Sequence, residues 1–218
     1  LAPAQTGSFV TCALFSNVGY LGAFTLFALF GETAYGLATL YFVSFSPLFY
    51  LLGFALARRF GHAAHPPGEA ERSDQLRLYP FIGLCVGIAL NLLHIPRPAL
   101  LEPINQTLIT LDNACYLIAI GSQLRFEPLR GSWRHGAAMA AIKFLYTPAV
   151  AWALVSLAGV QGLARSVVLF ESAMPVAISP LMLPMLFGLD RRLAQAVWLV
   201  TTVAAIPLMF VLVPWLTG

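Results

Sequence analysis

The feature that most constrains this chain is the length of its uncharged stretches. No Asp, Glu, Lys or Arg occurs in residues 1–31, 33–57, 78–96, 144–164, 172–189 or 193–218, and one further stretch, 106–124, is broken only by Asp112. About 20 mostly apolar residues suffice to cross the hydrocarbon core of a bilayer as a helix. The sequence therefore predicts an all-α membrane protein of seven transmembrane helices, at about 8–30, 34–57, 78–95, 106–124, 136–158, 165–188 and 193–217. These runs lack the short alternating pattern of membrane β-strands. Only 10% of the 218 residues are charged, against about 25% in a soluble domain. That is too little charge to wet a surface, which sets aside a soluble enzyme and a disordered chain. The net charge of +3 comes from loop arginines rather than a basic face, so no nucleic-acid partner is expected. Cys12, Cys85 and Cys115 all sit in apolar runs and make neither a disulfide framework nor a CxxC metal pair.

Loop charge sets the orientation. Arg58, Arg59, Arg72, Arg77, Arg125, Arg130, Arg134, Arg191 and Arg192 fall on one side of the seven-span layout, and only Arg97 and Arg165 on the other. The arginine-rich side is read as cytoplasmic, which places the start of the chain inside and Gly218 outside. The loop His62–Arg77 is then a short cytoplasmic linker. Its His62 and His65 lack an obvious third ligand, and no metal site is expected. The chain enters its first span within a few residues of Leu1, with no basic leader, so a missing front portion is expected.

Spans one–two and six–seven look alike at an offset of 157 residues, with Leu29-Phe30-Gly31 falling on Leu186-Phe187-Gly188. The two copies run in opposite directions through the membrane. Such inverted repeats, with interrupted helices, mark secondary transporters. Span six carries Pro175, Pro180 and Pro184. Each lacks an N–H and clashes with the carbonyl four residues back, so Pro175 frees the carbonyl of Glu171 and Pro180 that of Val176. Ser172 and Ser179 are near enough in sequence to satisfy freed groups. The expected result is an unwound stretch near 175–180, whose half-helix ends offer bare N–H groups suited to an anion. Span one carries Asn17, Gly19 and Gly22, which fit a second break or close backbone approach, or simple helix packing with Asn17 as interhelical glue.

Asp112, Lys143 and Glu171 are the ionisable groups inside spans, and each needs a partner, water or a function. At about 1.5 Å per residue, Lys143 lies roughly 6 Å to the inner side of its span's centre and Glu171 roughly 8 Å to the outer side. A direct ion pair between them is not expected. Lys143 could snorkel to the inner surface, face an anionic substrate, or meet the carbonyls of a broken helix. Glu171 and Asp112 could carry a coupling proton or bond neighbouring helices, with the structural role favoured for Asp112. Trp152, Trp198 and Trp215 read as interfacial anchors.

These residues resemble the auxin efflux carrier family, which includes the plant PIN proteins and bacterial malonate-type permeases. The resemblance rests on Ala173-Met174-Pro175 with Pro180 and then Pro207, on Asn17 with Gly22 and Gly31, and on Lys143-Phe144 followed by Pro148-Ala149-Val150. It covers essentially the whole chain, as the last seven of ten spans. It implies a ten-helix inverted-repeat transporter fold: residues 1–57 would end the first repeat, 58–77 link, and 78–218 form the second. The broken crossing helices would bind a small organic anion between Asn17, Gly19, Gly22, Lys143, Glu171, Pro175, Ser179 and Pro180, and an elevator-like movement would carry it. No cofactor is implied. Proton or sodium coupling and a homodimer stay open. The short central loop is similar to the bacterial branch, and so to an inner-membrane location. Phe24 stands where the family often has a proline, and Tyr79-Pro80-Phe81 stands where plant members have Asn-Pro-Asn.

Two other transport or signalling classes compete. A sodium-coupled symporter of the bile-acid type has a similar inverted architecture. A seven-span receptor or microbial retinal protein fits the count, but 193–217 holds no lysine for a Schiff base. A membrane enzyme is not expected, since no GxGD pair, HExxH or convincing Ser–His spacing occurs.

Overall fold

The computed structural model describes residues 1–43, 45–61, 82–83, 85–123 and 131–217. The described residues are helical apart from short connections, as the apolar runs require. They fall into two compact units, Leu1–Ala63 with Asn113–Gly218, and Ala64–Asp112. The smaller unit holds a helix over 85–92 and the beginning of a helix that runs from Leu101 to Gln123.

In the larger unit, α1 covers Pro3–Leu14, with a proline at its first turn where no N–H is needed. Next, α2 covers Val18–Val43. It is not one straight rod, because Gly31 sits inside it at φ 71°, ψ −163°, a conformation open in practice only to glycine. The chain reverses there. Phe27 meets Tyr35 edge to face at 5.9 Å, and Gly19 lies against the ring of Phe42. The helical segments before and after Gly31 thus lie against each other. Short helical pieces, Phe45–Leu48 and a π turn Phe49–Gly53, lead into α3, Phe54–Phe60. Helix α3 carries Arg58 and Arg59 in its last turn, so the helix runs past residue 57, where the sequence reading began the linker. The remainder of that linker, with His62 and His65, lies outside the described residues.

The helix Leu101–Gln123 is α4. It is followed by α5, Trp133–Leu157, which contains a π turn at Ile142–Tyr146. Then come α6, Gly162–Ser172, α7, Leu183–Phe187, and α8, Arg191–Thr217. Between α6 and α7 the expected break in span six is observed. Residues 173–178 are not helical, and a single 3₁₀ turn, Ser179–Met182, restarts the helix. Gly188 then ends α7 at φ 67°, matching the positive φ of Gly31, its partner in the offset of 157 residues.

Among the described residues, α2, α5 and α8 (the last as Arg191–Val211) are long and apolar enough, by length and composition, to cross a membrane, although α2 folds back at Gly31. Their outer faces carry large apolar side chains: Leu157 is 86% exposed and Phe210 78%. A water-facing surface does not hold such side chains in rows; a lipid-facing one does. Inside, helix α8 packs along the first half of α5 and along α1, while α2 and the second half of α5 pack on α6. Trp198 lies in this interior, with Cys12, Met139 and Val176. Its assignment as an interfacial anchor is therefore corrected: residue 198 is on the face of α8 that α1 and α5 cover.

Candidate functional site

The two interrupted segments meet. Phe15 leaves α1 in an extended conformation, φ −112°, ψ 121°, and Ser16 pairs with Val176 as an isolated antiparallel bridge. The amide of Asn17 donates to the carbonyl of Pro175 at 2.8 Å, and the amide of Ala177 donates to the carbonyl of Phe15 at 3.1 Å. A short two-stranded contact thus joins the breaks of spans one and six. Proline explains one side of it. Met174, which precedes Pro175, is biased to extended backbone, and Pro175 cannot donate. Span one has no proline here, so its break depends on the partner segment and on Asn17. The Asn17 side chain caps the next helical turn, its Oδ1 accepting from the amide of Leu21 at 3.4 Å. The helix resumes as a π turn over Val18–Gly22, in which the amide of Gly22 donates to the carbonyl of Asn17 at 3.1 Å.

Two buried charged residues flank the crossing. Lys143 is 1% exposed, which rules out snorkelling to the surface. Its Nζ donates to the carbonyl of Ala13 and to Oγ of Ser16, both at 2.8 Å. The ammonium thereby satisfies an end carbonyl of α1 and sits at the negative end of that helix. The π turn Ile142–Tyr146 places it there, and Thr147 Oγ1 donates to the carbonyl of Ile142 at 2.8 Å within the same distortion. Glu171, at the end of α6, is fully buried, and neither carboxylate oxygen has a hydrogen-bond partner. The carboxylate rests against Gly22, where an added Cβ would overlap Oε2. Gly19 and Gly22 are therefore close-approach positions, one for Phe42 and one for Glu171, and the break itself lies upstream at Phe15–Asn17.

Four amides at the span-six break are engaged. Ala173 and Met174 donate to the carbonyls of Phe170 and Glu171 at 3.1 and 3.2 Å, Val176 to Oγ1 of Thr201 at 3.2 Å, and Ala177 to Phe15. Ser172 does not rescue a freed carbonyl at the break; its Oγ donates to Leu169 at 2.7 Å. Among the buried side-chain polar atoms at the crossing, Asn17 Nδ2 and the two Glu171 oxygens have no hydrogen-bond partner. Pro175 and Pro180 are buried and Ser179 is half-buried in the 3₁₀ turn just beyond the bridge. The structure thus joins Asn17 directly to Pro175, Gly22 to Glu171, and Lys143 to the crossing through Ala13 and Ser16. Asp112 is exposed.

Sequence reading missed two residues. Thr201 on α8 is fully buried, donates back to its own helix and accepts from Val176. Tyr116 on α4 donates its hydroxyl to Asn17 Oδ1 at 3.1 Å and stacks on Tyr20, with ring centroids 3.9 Å apart and planes 9° apart. With Oδ1 held by Leu21 and Tyr116, the donor end of the Asn17 carboxamide is the end left over.

This architecture is similar to known carriers in sequence as well. The family model described as membrane transport protein matches residues 72–213. An uncharacterized transporter of Methanocaldococcus jannaschii is 28% identical over 210 residues, which is 93% of this chain and 66% of that relative. The chain thus spans about two thirds of that relative's length. Both comparisons point to a transporter rather than an enzyme. With most of its length matched, from the end of the central linker into α8, the chain belongs to the membrane transport protein family, that of the auxin efflux carriers its motifs resemble.

Proposed function

We propose that this protein is a secondary transporter that moves a small organic anion, malonate or another carboxylate, across the cell membrane. The observation that carries the reading is the hydrogen-bonded crossing of two interrupted helices with the bare Nδ2 of Asn17 buried beside it. A buried amide N–H without an acceptor is costly, and a carboxylate oxygen would remove that cost. Lys143 adds a positive charge one residue from Asn17, through Ser16. Binding would draw on these two side chains. The matched breaks, at residues 15–17 and 173–178, and the paired glycines Gly31 and Gly188 support an inverted repeat divided at the central linker. An elevator-like movement of the crossing goes with that reading, and the short central loop supports a multi-pass location in a bacterial inner membrane.

The test uses the full-length protein in proteoliposomes. Organic acids are first screened for thermal stabilisation, and the best is then followed by counterflow. Asn17→Ala is expected to weaken binding by about 1–3 kcal/mol, roughly 5- to 150-fold, at unchanged protein abundance. Normal transport by Asn17→Ala, or no stabilisation by any acid, would overturn the anion site.

A further inference from the structure

Glu171 is the buried group that anion binding does not explain. Its carboxyl is fully covered, and both oxygens lack a hydrogen-bond partner. The buried cation of the crossing, Lys143, is engaged instead by Ala13 and Ser16. The shell around the end of α6 is apolar: Val18, Leu26, Ala38, Val167, Phe170 and Met174 form one cluster. The other neighbour is the bare backbone of Gly22, close enough that only glycine leaves room for the carboxyl. Of the elements packed on α6, the second half of α5, Thr147–Leu157, carries no titratable side chain. The other packed element, α2 with its first turn, carries Tyr20, Glu32, Tyr35 and Tyr41, none of which supplies a positive charge. A carboxylate left bare in such a place is among the most costly arrangements a membrane protein can hold. An anion arriving at Asn17 would make it worse, by bringing a second negative charge to the same crossing.

We propose that Glu171 is the site of a coupling cation, held either as a proton on the carboxyl or as a small monovalent ion against it. The positive charge lets the carboxyl stay buried while the crossing is loaded, and ties movement of the solute to movement of that cation. This rests on the transport reading above and supplies its driving ion.

The site can be tested without any organic substrate. Purified full-length protein is melted while the pH is stepped from mildly alkaline to mildly acidic, and separately while choline is replaced by sodium at constant ionic strength. A cation that binds the folded state raises the melting temperature. The wild type is expected to gain roughly 2–4 °C or more in one of the two series, acid naming the proton and sodium naming the metal ion. Glu171→Gln keeps the shape and is expected to lose that gain; Glu171→Asp keeps a carboxyl and is expected to retain part of it. Identical responses of the wild type and Glu171→Gln, or no response of the wild type in either series, would overturn the site. Where Glu171→Gln does not fold, Glu171→Asp and the wild-type series decide by the same criterion. Counterflow of labelled malonate and other acids without an ion gradient reports separately on the transport reading. Its failure beside an intact cation response removes the carrier function and leaves the cation site standing.

Discussion

At the scale of single residues, the crossing is held by a few contacts with no redundancy. Lys143 closes both Ala13 and Ser16, so Lys143→Met leaves a half-buried carbonyl and hydroxyl without their donor. A loss of about 1–3 kcal/mol is expected, read as a lower melting temperature; an unchanged one would show that the ammonium is dispensable to the fold. The two glycines of the π turn differ in what they face. Gly22 abuts a carboxylate at a helix end, while Gly19 abuts the rim of the Phe42 ring, which can swing away. Gly22→Ala is therefore expected to be the more damaging, by about 1–3 kcal/mol, and equal melting temperatures would contradict this. Asn17 and Lys143 were legible because a carboxamide and an ammonium in apolar runs demand an account. Thr201 was not, since a helical threonine that bonds back to its own turn is ordinary in membranes. Tyr116 was hidden for a similar reason: aromatic residues are common in such spans, and its hydrogen bond crosses 99 positions.

At the scale of elements, local chemistry separates what the sequence discloses from what it conceals. Span six unwinds where its prolines stand, because their effect acts on the adjacent carbonyls and on the residue before each ring. Span one unwinds with no proline at all; its extended Phe15–Asn17 stretch depends on hydrogen bonds to Pro175 and Ala177. Nothing within a window of residues 1–31 encodes that partner. The reversals are local again. Gly31 has nothing within reach of an added Cβ, so Gly31→Ala tests backbone strain alone. It is expected to cost about 1–3 kcal/mol, more than Gly188→Ala, whose left-handed conformation costs roughly 1–2 kcal/mol. Equal melting temperatures of the two variants would mean that the reversal at 31 can relax.

At the scale of the whole molecule, the exposed rows of Leu, Phe and Val on α2, α5 and α8 fit a bilayer and leave orientation to the loops. A cysteine at Arg72, in a background lacking the native cysteines, is expected to react with an impermeant maleimide only when the cytoplasmic side is accessible. Labelling of intact cells would reverse the assigned topology. The uncharged runs made the membrane class readable from composition alone, because lipid acts on every residue alike, and two of them match the apolar helices α5 and α8. The depth of each charged group was less readable. Estimates along straight helices kept Lys143 and Glu171 apart, and they are indeed unpaired, but the estimates could not show that a π turn would aim Lys143 at the end of α1.

That π turn has a consequence for how the protein can change. Five residues, Ile142–Tyr146, occupy a loop of helix that ordinarily takes fewer. Deleting any one of them restores the regular spiral, keeps the flanking turns roughly in phase and re-aims the side chains within the turn. A relative that has dispensed with the ammonium need not have replaced the lysine; a gap of one position in α5 would retire it just as well, turning its nitrogen away from Ala13 while the letter K persists.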